Sequence, residues 1–249
     1  MASISFAHFA STSKQLATEQ IIKQVRSLYP DTYYFVASDA VDDHTQLAKD
    51  YNLDFHLFNK KLGYPVQPYG YRAWQISEWL RRLHIACANT NTSHIIMMED
   101  DVWVKQHITV KDHWEIAAHE LNPDGKGNAI DPGLIEVIEL FANRRPLTHQ
   151  YASGGGSIFR VQTFLDNFER INAFFLEHTN NIQEHIYPTI GWIDCFMTVY
   201  YMLAGKDYTI NSHLADTHNH RDGFDYDAFL SKLPEHIEII NNYKKWYWV

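Results

Sequence analysis

Cysteine is scarce in this chain: Cys87 and Cys195 are the only two among 249 residues. Neither sits at metal-site or paired spacing and both fall in apolar helical stretches, which excludes a disulfide-built fold and predicts two reduced core thiols. Positive charge is also short. Lys and Arg number 21 against 30 Asp and Glu, for a formal charge of -9, so no overall basic field exists to draw nucleic acid or an anionic membrane surface. An anionic ligand must therefore be met by local groups. Long apolar runs are missing too: no segment approaches the roughly 18 consecutive apolar residues of a membrane span. The N-terminus, "MASISFAHFASTSK", lacks a basic lead-in and an apolar stretch, so no signal peptide is expected and the chain reads as cytoplasmic or otherwise soluble.

What the chain does have is a hydrophobic share of 45%, enough to bury the core of one large domain. Its first third alternates strand and helix signals. "ISFAHF" (4–9) is a compact β-rich run, and "SKQLATEQIIKQVRSL" follows it with Ala17, Ile21, Val25 and Leu28 on one helical face, until Pro30 and Asp31 stop the helix. "YYFVA" (33–37) predicts a second strand, "TQLAKDY" a short helix and "FHLF" (55–58) a third strand. After the Gly, Pro and Tyr-rich "KLGYPVQPYGY", a helix is expected from Arg72 to Ala88, with Ala73, Ile76, Leu80, Leu83 and Cys87 on one side. It leads into "HIIMM" (94–98), a continuous apolar run of the kind shown by a parallel strand covered on both faces. The fold class is therefore α/β, with a mostly parallel central sheet flanked by helices. The second half is less regular. "GLIEVIEL" alternates less cleanly, "YASGGGSIFR" sets Gly154, Gly155 and Gly156 before another strand, and "IGWIDCFMTVYYMLAG" opens a helix with Ile193, Met197, Tyr200 and Ala204 as its core stripe. No repeat or linker divides the chain, so a single domain, 1–249, is expected.

The strand "HIIMM" ends in three consecutive carboxylates, Glu99, Asp100 and Asp101. Adjacent carboxylates raise one another's pKa unless something positive sits between them, and a divalent cation with hard oxygen ligands, Mg²⁺ or Mn²⁺, is the natural candidate. In open parallel sheets, ligands bind beyond the carboxyl ends of the strands, and these carboxylates lie there. An exposed acidic turn is the plain alternative.

At this point "MMEDDVWV" resembles the GT-A family of nucleotide-sugar glycosyltransferases, as the Glu-Asp-Asp form of their acidic Asp-any-Asp motif. The resemblance implies a Rossmann-like single domain, with 1–104 as nucleotide-binding half and 105–249 as acceptor-binding half. It assigns Asp101 to the metal and turns Glu99 and Asp100 toward the ribose and the donor sugar. The base pocket falls where the first two strands end, at Ala10 in "FAHFAST" and Asp39 in "FVASDA". There Asp39 is similar to the acid that accepts the N3–H of uracil, with capping of a turn or helix as its other reading. Arg72, opening the helix after the third strand, is a candidate for a phosphate; Arg81 and Arg82 read as a solvated face. Gly155 and Gly156 correspond to glycines lining the donor-sugar pocket.

"GWIDCF" matches the aromatic-flanked acid that serves as general base in inverting members. Asp194 would take the acceptor hydroxyl's proton and Trp192 would stack on a sugar ring, although an Asp in a first helical turn is favoured by the helix dipole alone. In "DTHNHRDGFD", His218 is the preferred further metal ligand, with His220 as the alternative, because side chains two apart on an extended segment point oppositely. The expected activity is metal-dependent transfer, with Mn²⁺ or Mg²⁺, of a sugar from a nucleoside diphosphate sugar, foremost UDP-linked, to a hydroxyl of a glycan or glycoside, with inversion. Two alternatives stand beside it. A sugar nucleotidyltransferase would carry a Gly-rich phosphate loop after its first strand, and "FAHFASTSK" has no glycine; a catalytically inactive carbohydrate- or nucleotide-binding relative would keep binding without turnover.

Overall fold

Short apolar runs, each closed by a helix with one apolar face, generate the first half of the molecule. In the computed structural model, which describes residues 2–10, 15–39, 43–62, 70–100, 102–117, 129–147, 149, 151, 155–179, 188–206 and 237–239, the run Ile4–Phe9 forms β1 and Gln15–Leu28 forms α1. Tyr34–Asp39 is β2, Thr45–Tyr51 is α2, Asp54–Phe58 is β3, Ala73–Asn89 is α3 and His94–Met98 is β4. Every residue of β4 is buried, as its unbroken apolar run requires. These four strands are parallel, and they stand in the order β3-β2-β1-β4.

The second half completes the same sheet instead of building another. Val102–Val104 (β5) and Ile116–Ala117 (β6) follow β4, then Pro132–Ala142 (α4), Ile158–Arg160 (β7), Val161–His178 (α5), a 3-10 turn at Pro188–Gly191, Ile193–Leu203 (α6) and Ile237–Ile239 (β8). β7 lies antiparallel between β4 and β6, giving the six-stranded order β3-β2-β1-β4-β7-β6, while β5 and β8 form a separate antiparallel pair. Because β7 runs backwards, its beginning, at Gly155 to Ser157, reaches the edge where β1 to β4 end. Met97 N–H donates to Ser157 O at 2.9 Å and Gly156 N–H to Met97 O at 2.7 Å.

Three helices of the second half add to or alter the local readings. "GLIEVIEL" is helical: Asp131 accepts the N–H groups of Gly133 at 2.8 Å and Leu134 at 3.4 Å, Pro132 takes the first turn, and Asn143 ends α4 at φ 50°. α5 is a full helix, with Phe164, Phe168, Ile171 and Phe175 buried at helical spacing. α6 has no single core stripe. Cys195 through Leu203 are all buried, so this helix is enclosed, whereas Ile193 and Ala204 at its ends are only partly covered. Cys87 and Cys195 are free and buried, as expected, and burial pushes the Cys87 thiol up. Among the described residues no helix is long and apolar enough to cross a membrane.

Candidate functional site

Between β1 and β4 the chain order reverses, from strands added on one side to strands added on the other. Such a switch point opens a crevice at the carboxyl ends of the strands. The residues at that edge are Ala10 after β1, Asp39 ending β2, and Glu99 and Asp100 after β4, joined from the antiparallel side by Gly155 and Gly156. Ala10 is fixed by its N–H, which donates to Ala37 O at 2.9 Å.

Glu99 and Gly155 form one packed unit. A Cβ on Gly155 would stand 2.5 Å from Val102 Cγ2 and 3.1 Å from Glu99 Oε2, so this glycine is required by close approach and not by backbone conformation. Gly156, at φ 87°, makes the turn into β7. Glu99 O closes the acidic turn by accepting Val102 N–H at 3.1 Å.

Asp100, expected to turn toward the ribose or donor sugar, is only 4% exposed and is held from within the fold: Oδ1 lies 2.9 Å from His8 Nε2 and accepts the Thr18 hydroxyl at 2.6 Å. A buried carboxylate needs such partners, and β1 and α1 supply them. Neither His8 nor Thr18 was singled out in the sequence. The only hint was a histidine in a mostly apolar β-run.

Asp39 holds the loop that follows β3. Leu62 N–H donates to both its oxygens, at 3.2 and 3.1 Å, and Arg82 donates to Oδ1 at 2.9 Å. Arg82 is the second departure from expectation. It is not solvated but 2% exposed, donating also to Lys60 O at 2.6 Å and to Glu78 at 3.3 Å, with its guanidinium over the Phe58 ring at 4.3 Å. Burial by itself would raise the Glu78 carboxyl, but hydrogen bonds and charge from Arg81 and Arg82 outweigh it and hold the group below its ordinary value. Arg81 is half-exposed and pairs with Glu78.

Arg72 stands at the N-cap of α3, where its N–H donates to Gln75 Oε1 at 2.9 Å; among the described residues no carboxylate pairs with it. Just before it, Gly70 at φ 74° presses against Gly191, and Tyr71 N–H donates to Gly191 O at 2.6 Å. Trp192, the N-cap of α6, follows at once and is partly buried against the core. A ring series secures the same junction: Phe9 stacks on Trp79 at 4.5 Å and Trp79 meets Phe196 edge-on at 5.3 Å. The start of α6, which carries Asp194 as its second residue, is thereby tied to both the end of β1 and the start of α3. The side chain of Asp194 lies outside the description, as do Asp101, Gly154, His218 and His220.

Hard carboxylate oxygens such as that of Glu99 suit Mg²⁺ or Mn²⁺. Among the described residues no three His, Cys, Asp or Glu side chains gather to hold a metal, and Asp100 Oδ1 is committed to His8 and Thr18.

The order of strands and the antiparallel β7 make an α/β fold of the GT-A class. Among solved structures, galactosyltransferase LgtC in complex with donor and acceptor sugar analogs matches at a TM-score of 0.55 and 12% identity, over 95% of this chain and 87% of that one. An active-site mutant of LgtC matches with a TM-score of 0.55 and 12% identity over the same shares. TarS of S. aureus in complex with UDP-GlcNAc matches over 67% of this chain and 47% of that one, at 14% identity and a TM-score of 0.38. No protein-family model matches the sequence, and no curated protein does.

Proposed function

We propose that this protein is a metal-dependent glycosyltransferase that moves a sugar from a nucleoside diphosphate sugar, with uridine as its base, to a hydroxyl of a glycan or glycoside, with inversion. The observation that carries the reading is the position of the carboxylate turn at the switch point between β1 and β4, with Gly155 packed closely against Glu99 and Val102. The GT-A fold shared with LgtC supports it.

In this reading the base sits between the ends of β1 and β2, by Ala10 and Asp39, where Asp39 Oδ2 is the acceptor that would favour uracil. Arg72 reaches a donor phosphate, and Glu99, Gly155 and Gly156 line the ribose and sugar. Asp101, with His218 or His220, would hold Mn²⁺ or Mg²⁺, whose chemistry is to stabilise negative charge on the departing diphosphate. Asp194 accepts the proton of the acceptor hydroxyl as that oxygen bonds to the anomeric carbon. The bond from that carbon to the diphosphate breaks in the same displacement, and its electron pair leaves with the diphosphate. Trp192 offers a face for the acceptor sugar.

Two substitutions separate the halves of the reading. Asp194→Asn is expected to keep UDP affinity and to lose transfer by about 100-fold or more, while Asp101→Ala loses the metal-dependent part of UDP binding. Transfer at the unaltered rate by Asp194→Asn would remove the assigned base and with it the argument for inversion.

A further inference from the structure

Beneath the acidic turn lies a buried polar network that contact with a donor does not account for. His8, near the end of β1, is fully buried, with Nε2 2.9 Å from Asp100 Oδ1 and Nδ1 3.0 Å from the Tyr34 hydroxyl. An ionised carboxylate oxygen only accepts, so Nε2 donates to Asp100, while Nδ1 and the Tyr34 hydroxyl share a second hydrogen bond. Thr18 of α1, also fully buried, donates to the same Oδ1 at 2.6 Å. Two turns further along α1, Gln24 Nε2 donates to Val104 O at 3.0 Å. One helix therefore grips the chain at both Asp100 and Val104, on either side of the Val102 whose Cγ2 faces Gly155.

Stability alone is a poor reason for this arrangement. Apolar side chains of similar volume often stabilise a buried site as well as an ion pair does, because the carboxylate need not be stripped of water. What apolar contacts lack is direction. Two donors converging on one oxygen fix both the rotamer of Asp100 and the rotation of its backbone, and Glu99 is the next residue in the chain.

We propose that His8 and Thr18 are positioning residues of the donor site: by holding the Asp100 carboxylate inward they set the turn from which Glu99 meets the nucleotide sugar beside Gly155. The inference rests on the glycosyltransferase reading above. It reassigns the middle carboxylate of the acidic run from donor contact to anchor.

The test is calorimetric titration of UDP, with Mn²⁺ present, into the unaltered protein and into Thr18→Val, Thr18→Ser, Asp100→Asn and the Thr18→Val/Asp100→Asn pair, each with a thermal melt. Thr18→Val keeps the shape and loses the hydroxyl, and it should weaken UDP binding on the order of tenfold, as loss of a supporting hydrogen bond does in comparable sites. Thr18→Ser restores the hydroxyl and should restore the binding. Because both act through one anchor, the double variant should bind no more weakly than the worse single one. UDP affinity undiminished in Thr18→Val, or equally lost in Thr18→Ser, overturns the positioning role while leaving the parent reading standing. Absence of UDP binding by the unaltered protein overturns both. Should Thr18→Val not fold, Thr18→Ala, which removes the same hydroxyl without a new buried methyl, is read against the same outcomes.

Discussion

Gly155 and Arg82 are the single residues on which the site's shape depends most visibly. A methyl group at position 155 would meet Val102 Cγ2 at 2.5 Å, so Gly155→Ala must push β5 or the Glu99 side chain away. Misplacing a binding group by about 1 Å can cost roughly 100-fold in rate. The expected result is loss of transfer on that scale with a folded protein by circular dichroism; full activity would mean that Glu99 does not need its present position. Arg82 ties Asp39, Glu78 and Lys60 O together while almost wholly buried. Its removal leaves Glu78 to Arg81 but takes the guanidinium from Asp39 and Lys60 O, and Arg82→Ala should destabilise by about 3–5 kcal/mol in urea unfolding. Arg82→Lys should recover little of that, because an ammonium cannot reproduce the planar fork. A loss under about 1 kcal/mol would show that water reaches these groups. At this scale the sequence was legible where a residue acts on its chain neighbours and opaque where it acts across the fold. The place of Glu99 at the end of β4 could be read from the strand before it. The inward turn of Asp100 depends on His8 and Thr18, 92 and 82 positions away, and the burial of Arg82 on Asp39, 43 away.

Among the elements, β4 and α6 carry the two halves of the proposed chemistry. β4 was legible because five buried residues in succession leave no other reading of "HIIMM". Its first residue, His94, donates from Nε2 to Trp114 O at 2.7 Å in the core. Burial lowers His94 below the ordinary imidazole value of 6.5, against the opposing pull of that hydrogen bond. The unfolded chain then binds a proton that the folded one resists, so stability present above pH 6.5 is lost as pH falls below it. His84, lowered by burial as well, acts in the same sense. Melting temperature should therefore decline on acidification through this range, and His94→Gln, which keeps an N–H donor, should flatten the decline; an unchanged slope would assign it elsewhere.

The α6 junction is the other half. Gly70 meets Gly191 backbone at 2.4 Å from where a Cβ would be, and its φ of 74° disfavours any other residue. Gly70→Ala should move Trp192 and Asp194 relative to the end of β1, raising KM for the acceptor well before UDP affinity changes. Equal losses of both would mean that the junction serves the whole fold and not the acceptor side. Neither that contact nor α5 was anticipated. α5 was nonetheless written in the sequence, as Phe164, Phe168, Ile171 and Phe175, and α4 was announced by Asp131, Pro132 and Asn143; the antiparallel entry of β7, by contrast, is a tertiary choice that no local pattern encodes.

At the scale of the whole molecule, one sheet runs across both halves, and its switch point gathers residues from β1, β2, β4 and the start of β7. The net charge of -9 gives such a site no long-range help in attracting a diphosphate, so the proposed reading relies on local donors, with Arg72 its candidate, and on a cation brought with the anion. That makes nucleotide binding the central claim. The direct measurement is calorimetry of the protein with UDP, GDP, CDP and ADP, each with Mn²⁺ and again with a chelator. The account predicts binding that is selective for UDP and lost on chelation. Failure to bind any of the four would mean that "MMEDDV" ends its strand as a plain acidic turn, and would contradict the account.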